Sequence, residues 1–264
     1  MRIAFVGTGH VAWHLARACK AAGHELVAVV SRSEKAATIF AQDYPGIKPT
    51  TLQELQQVQS DVLILAVPDA AIQKVASELI VKAGTLVVHT SGSQPLTILS
   101  NIKGARTGVF YPVQTFTKYK PVDFTNLPIL IEGSDPEAKD YLMQLGKTMS
   151  TNVQAQDSAA RRQLHLAAVF ACNFTNHLFG ISQFILQNAG LPANLLQPLI
   201  QETITKASTH NPFTVQTGPA SRNDMNVVQD HLAILQDYPD WQELYRKLTQ
   251  SIQHEQKDRS GIKP

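Results

Sequence analysis

The stretch Arg2-Ile3-Ala4-Phe5-Val6-Gly7-Thr8-Gly9-His10-Val11-Ala12 decides the fold. An apolar run enters the glycine turn, and a helix-periodic run from Val11 to Ala22 leaves it, so the order is strand, tight turn, helix. In the spacing G-x-G-x-x-A, Gly7 permits the turn, Gly9 lets a ligand approach the backbone, and Ala12 lets the helix pack closely on the strand. The N–H groups that open the helix have no partner within it and face any anion seated on the turn. A second apolar run, Leu26 to Val30, follows Gly23 at once. This context implies a dinucleotide site in which Gly7, Thr8, Gly9, His10 and Val11 meet the pyrophosphate.

The second strand ends in Ser31-Arg32-Ser33, where an NAD site usually has Asp or Glu for the ribose 2′-hydroxyl. A guanidinium flanked by hydroxyls suits a 2′-phosphate instead, so Ser31, Arg32 and Ser33 favour NADP, the alternative being a solvated loop arginine. Asp61 to Val67 and Thr85 to His89 read as strands buried on both faces, joined by a helix from Ala70 to Ile80. Ligands of open parallel sheets lie outside the carboxyl ends of the strands, which brings Ala66, Val67, Pro68, Ser91 and Gly92 to the cofactor and Ser93 to the substrate. Helices are also expected over Ala36 to Gln42 and Leu52 to Val58, with a turn at Tyr44 to Lys48. A strand from Thr107 to Val109 runs into the aromatic stretch Phe110 to Phe116, which lines a pocket through Tyr111 and Gln114. Pro128 to Ile131 is the last expected strand, followed by a helix through Gly146 capped by Ser134 or Asp135.

From Asp157 onward only helical periodicity remains, over Leu164 to Asn188, Asn194 to Ser208, Met225 to Gln236 and Trp241 to His254; the polar tail from Gln253 to Pro264 reads as frayed. The expected architecture is α/β, a Rossmann-type parallel sheet domain over 1–153 followed by an all-helical domain over 154–264. The chain has 264 residues, 44% hydrophobic and 17% charged, which is enough apolar material for two ordinary cores. A net charge of +2 without a Lys/Arg cluster argues against nucleic acid as a partner. No run of consecutive apolar residues reaches the length of a membrane span, and the first apolar segment is a short strand with no cleavage site after it. Cys19 and Cys172 sit in apolar helical patterns and read as buried, reduced thiols, which points to the cytoplasm.

The motifs together resemble the family of Rossmann-like NADP oxidoreductases whose helical C-terminal domain has no known function (domain of unknown function 2520). The likeness rests on the glycine turn, Ala66-Val67-Pro68-Asp69, His89 to Ser93, Tyr111 to Phe116, His165-x-Ala-Ala-Val-Phe-Ala-x-Asn173, and Thr217 to Asp224, and so covers nearly the whole chain. It implies kinship with pyrroline-5-carboxylate reductase, 3-hydroxyisobutyrate dehydrogenase, ketopantoate reductase and 6-phosphogluconate dehydrogenase, which hold a small substrate between a sheet domain and a helical domain. The 3-hydroxyacid dehydrogenases carry Lys-x-x-x-Asn on the long helix, where this chain has His165 and Asn173; relatives also tend to have Arg-Gly-Asp where this chain reads Arg222-Asn223-Asp224.

His165 is the expected proton donor and Asn173 the residue that holds the substrate, because imidazole exchanges a proton near neutral pH and an amide both donates and accepts. The alternative for these groups and for Asn176 is a buried polar residue bonded to backbone. At about 100° per residue, Asn176 falls within about 20° of His165 and Asn173 about 80° away. Arg222 and Asp224 are read either as substrate contacts or, for Asp224, as a helix cap. His10 and His89 are read as structural, and His165 and His177 lie too far apart to share a metal, so no metal site is expected. The expected activity is transfer of hydride to or from a small polar carbonyl, imine or hydroxy compound in the interdomain cleft. A non-catalytic NADP sensor or assembly protein and a deazaflavin-dependent reductase are the alternatives. The apolar circumference of Leu164 to Ile185 calls for a partner surface, and hence for a homodimer.

Overall fold

A computed structural model describes residues 1–118 and 120–259. Eight strands form one sheet: β1 (Arg2–Val6), β2 (Glu25–Val30), β3 (Lys48–Thr50), β4 (Val62–Leu65), β5 (Leu86–His89), β6 (Arg106–Pro112), β7 (Ile129–Gly133) and β8 (Val153–Ala155). Their spatial order is β3-β2-β1-β4-β5-β6-β7-β8. Neighbours run parallel throughout except at β6 and β7.

The sheet is buried because its strands alternate apolar side chains to two cores. Ile3 and Phe5 of β1 point to a layer that contains Leu15 of α1 (His10–Ala21), Phe40 of α2 (Glu34–Asp43) and Leu142 of α4 (Pro136–Lys147). Ala4 and Val6 point the other way, to Ile72 and Ala76 of α3 (Asp69–Glu78). The chain thus leaves β1 across one face and β4 across the other, and the crevice where the strand order reverses opens between their carboxyl ends. Asp135 caps α4 by accepting from the Ala138 N–H at 2.8 Å, a contact of about 1 kcal/mol.

Two short strands differ from the sequence reading. Lys48–Thr50 pairs with β2, starting at the last residue of the expected turn, and Val153–Ala155 pairs with β7 where the sheet was expected to end. Three residues give too short a pattern for alternation to register; sheet neighbours recruit them. The expected helix at 52–58 is a single 3₁₀ turn, Glu54–Gln57.

A continuous helix runs over Ser158–Asn188. It consists of α5 (Ser158–Ala168), a π turn at Val169–Phe174, and α6 (Thr175–Asn188). By length and composition it is long and apolar enough to cross a membrane, although no run of consecutive apolar residues in it reaches that length. Uncharged polar residues such as Asn173, Asn176 and Gln183 interrupt the run without supplying charge. None of its most apolar window is buried within the chain.

The chain forms two compact units, Met1–Phe179 and Gly180–Pro264. The second contains the last turns of α6, then α7 (Gln197–Thr209), α8 (Met225–Ile234) and α9 (Pro239–Arg259). Phe184 meets Trp241 edge-on at 5.0 Å, and Tyr238 stacks on Trp241 at 4.9 Å. The segment 253–259 of the tail expected to fray is helical, and 260–264 lie outside the described residues.

Candidate functional site: a groove at the strand reversal

The glycine turn is fixed by sterics. Gly7 has φ +111°, and a Cβ there would lie 2.2 Å from the Ala66 carbonyl oxygen at the end of β4, so a side chain would force β1 and β4 apart. A Cβ on Gly9 would meet nothing within 4 Å, which leaves the face of the turn open. Gly9 is also the N-cap of α1 and supplies no side-chain cap, so the first amides of the helix stay available to an anion.

Two cavities meet at this turn and share Gly9, Ala66, Val67 and Pro68. The smaller, about 490 Å³, is lined by Gly7, Thr8, Ser31 and Arg32 and, on the far wall, by Thr51 and Gln53. Thr8 and Ser31 join their hydroxyls at 3.3 Å. Arg32 is exposed, and among the described residues it has no ion pair. Ser33 does not line the cavity; its hydroxyl caps α2, accepting from the Ala36 N–H at 3.3 Å. These features fit a dinucleotide: an open glycine turn can take the pyrophosphate, with an exposed guanidinium on the same cavity.

The larger cavity, about 640 Å³, is lined by His10, Val11, Ser91, Gly92, Tyr111, Gln114, His165 and Asn173 among others. In its wall, the Tyr111 hydroxyl and His165 Nδ1 lie 3.3 Å apart next to Gly92. A Cβ on Gly92 would stand 2.7 Å from that nitrogen and 2.7 Å from the phenol ring, so glycine is what allows the pair to assemble. Burial pushes the Tyr111 phenol above its usual range; Arg161 opposes the rise and Asp69 adds to it.

The π turn brings Asn173 into the same cavity as His165. Each residue of the wider i→i+5 turn rotates the chain by roughly 80° instead of roughly 100°, so the four steps from Val169 to Asn173 cancel the expected offset of about 80° from His165. Asn176, expected nearest to His165 in phase, is turned away and does not line the cavity. The Thr175 hydroxyl donates to the Phe170 carbonyl at 3.2 Å, five residues back across the widened turn. Cys172 lies on this turn, exposed and lining the cavity, which corrects its expected burial; Cys19 is buried as expected.

The serines after β5 serve the loop. Ser91 accepts from the Ser93 and Gln94 N–H groups at 3.1 and 3.0 Å. Ser93, expected at the substrate, does not line the cavity, and its hydroxyl donates to Asp69 at 2.5 Å. Gln114 accepts from the Thr115 N–H at 2.8 Å. His10 is tied to the Phe116 carbonyl at 3.0 Å. His89 is fully buried and accepts from the Ser91 N–H, and burial together with nearby Arg161 lowers its pKa to about 4, so it is a neutral structural group at physiological pH. Arg222 and Asp224 belong to the second unit, where Asp224 caps α8 by accepting from the Val227 N–H at 3.4 Å. Between them Asn223 has φ +55°, a left-handed conformation that asparagine and glycine adopt more readily than other residues.

Sequence reasoning passed over Asp69, which lines the larger cavity, and Thr51 and Gln53, which line the smaller. Thr51-x-x-Glu54 is a capping box, with the Thr51 N–H donating to Glu54 at 2.9 Å, and this pattern in the sequence marks the wall. Among the described residues no cluster of metal-ligating side chains occurs.

The sequence matches the family described as NADP oxidoreductase, coenzyme F420-dependent, over residues 2–92 and the domain of unknown function DUF2520 over residues 127–252. A Bacteroides fragilis protein, named in its crystal structure as the putative NADP oxidoreductase BF3122, is 38% identical, with 96% of this chain and 98% of that chain covered and a TM-score of 0.88. A reductive aminase from Aspergillus terreus, solved with NADPH and ethyl-5-oxohexanoate, shares the fold at 17% identity, covering 99% and 94% of the two chains with a TM-score of 0.69. A 1-pyrroline-5-carboxylate reductase from Streptococcus pyogenes does so at 14% identity, covering 96% and 98% with a TM-score of 0.62. None of the curated proteins compared with the chain matches it significantly.

Proposed function

We propose that this chain, which belongs to the family of Rossmann-like NADP oxidoreductases carrying the DUF2520 domain, uses NADPH to deliver a hydride to a small polar carbonyl or imine, or NADP+ to take one from a hydroxy compound. The observation that carries the reading is the groove, whose two cavities join at Gly9 and Pro68 and end on Arg32 at one side and on His165, Tyr111 and Asn173 at the other. In this reading the turn and the α1 amides hold the pyrophosphate, and Ser31 and Arg32 hold the 2′-phosphate. When bound, NADPH supplies the hydride to the substrate carbon. As the π pair of the C=O or C=N bond moves to the heteroatom, His165 gives that atom a proton, and Tyr111 holds the imidazole through Nδ1. Asn173 orients the substrate by its amide. Screening NADPH oxidation against aldehydes, ketones and imines, and NADP+ reduction against hydroxy compounds, tests the reading: turnover of one class supports it, and bound NADPH without turnover of any favours a sensor.

The ribose-end assignment predicts a preference for NADPH over NADH. Arg32→Ala is expected to weaken NADPH binding by on the order of tenfold or more, the loss of a charge-assisted contact, and to leave NADH nearly unchanged. Fluorescence titration of both cofactors checks this, and equal affinities in the parent protein would refute it.

The reading also includes a homodimer. Phe170 and Leu166 on the long helix are 63% and 53% exposed. Such a surface suits a second copy related by two-fold symmetry. Light scattering at micromolar concentration is expected to give twice the mass of the chain; a monomer would remove the idea. The free thiols suit the cytoplasm.

A further inference from the structure

The first turn of α5 carries an arginine that sequence reasoning did not single out. Arg161 is 1% exposed, and its two terminal nitrogens reach three acceptors on three different segments. They donate to Glu132 of β7 at 2.5 Å, to the Gln94 carbonyl in the loop after β5 at 2.6 Å, and to Ser158 of its own helix at 3.1 Å. Ser158 in turn donates to the same Glu132 oxygen at 2.7 Å and accepts from the Leu96 N–H at 3.0 Å. A buried guanidinium with a carboxylate partner costs desolvation on both sides and is a poor source of stability for its own sake. Its geometry here is that of a clamp, which fastens the start of α5 to a strand and to the loop that carries Gly92.

His165 stands four residues after Arg161, one turn along the same face. The clamp therefore sets both sides of the close approach at Gly92, the backbone of the 91–94 loop from below and the helix that carries the imidazole from above. The margin is narrow, since the space of a single Cβ separates the loop from His165 and Tyr111.

The geometry points to Arg161 and Glu132 as positioning residues that hold His165 Nδ1 against the Tyr111 hydroxyl and so fix which imidazole nitrogen carries the proton. This rests on the reading of His165 as the proton-carrying residue of the groove. The contact itself allows either group to donate; in this proposal the phenol donates to Nδ1, which puts the proton of the neutral imidazole on Nε2.

The test uses the full chain with ¹⁵N-labelled histidine, long-range ¹H–¹⁵N spectra above neutral pH, and the His165 signals assigned by their loss in His165→Gln. The parent is expected to show a single tautomer protonated on Nε2, and Tyr111→Phe to abolish that signature. Arg161→Met and Glu132→Gln are each expected to move His165 to the averaged pattern of an unrestrained imidazole, and Arg161→Lys to restore part of the parent signature. The signals of His14, buried in the first unit and bonded to the Thr117 carbonyl at 2.8 Å, report folding of that unit and stay in place. Should Arg161→Met fail to fold, Glu132→Gln decides, because it keeps the shape and removes the charge. A His165 pattern unchanged in folded Glu132→Gln and Arg161→Met protein overturns the proposal. A parallel titration with NADPH separates this from failure of the functional reading, which would show as a parent protein that does not bind NADPH.

Discussion

His165→Ala is expected to lower turnover by on the order of a hundredfold or more, the usual loss when an acid–base group is removed, while NADPH affinity stays at its parent value. The imidazole is half-buried in the larger cavity, paired with Tyr111, and distant in sequence from the glycine turn that binds the cofactor in this account. Removing it leaves the groove around Arg32 and Gly9 intact, so the effect falls on chemistry and not on cofactor binding. Steady-state kinetics on the first substrate found in the screen, with cofactor titration alongside, separates the two. Unchanged turnover would move the proton to Tyr111 or to water and remove His165 from the mechanism.

The second large effect is expected at Gly7. Its φ of +111° is outside the range a side chain tolerates, and the added Cβ of Gly7→Ala would sit 2.2 Å from the Ala66 carbonyl oxygen. Backbone strain and the clash together should cost at least about 2 kcal/mol, read as a lowered denaturation midpoint. The displaced turn should also weaken NADPH by on the order of tenfold or more, since the amides of the turn and of α1 are aimed by that geometry. Gly9→Ala separates the two consequences: with nothing within 4 Å of its Cβ it should fold normally, yet its methyl group occupies the approach to the turn. Normal NADPH binding by Gly7→Ala would contradict the placement of the cofactor on this turn.

Much of this fold is legible in the sequence because its parallel strands are continuous apolar runs bounded by turns. Val62–Leu65 and Leu86–His89 are buried along their whole length and cannot be mistaken for loop. The glycine turn is legible for a different reason, since each of its small residues answers a distinct steric demand. What escapes is whatever depends on neighbours. Lys48–Thr50 and Val153–Ala155 are strands only because β2 and β7 offer them an edge. Ser33 reads as a phosphate ligand beside Arg32, but a serine before a helix satisfies the helix first.

The long helix shows the limit most clearly. Constant α phase brings Asn176 to His165 and leaves Asn173 aside; six residues of π geometry reverse the choice. Nothing in Val169-Phe170-Ala171-Cys172-Asn173-Phe174 announces the wider turn. The same shift carries Cys172 out of its expected burial and into the cavity wall. Arg161 was equally hidden: in the sequence it is one of two adjacent arginines on a polar face, and only the fold brings Glu132 and the Gln94 carbonyl to it.

The central claim is that the groove from Arg32 to His165 holds NADPH. Calorimetric titration of the full chain with NADPH, NADH and the reduced deazaflavin F420, in parallel and at one ionic strength, tests it most directly. The account predicts one NADPH per chain, bound more tightly than NADH, with no competing site for the deazaflavin. Heat with F420 alone, or none with NADPH, would contradict it.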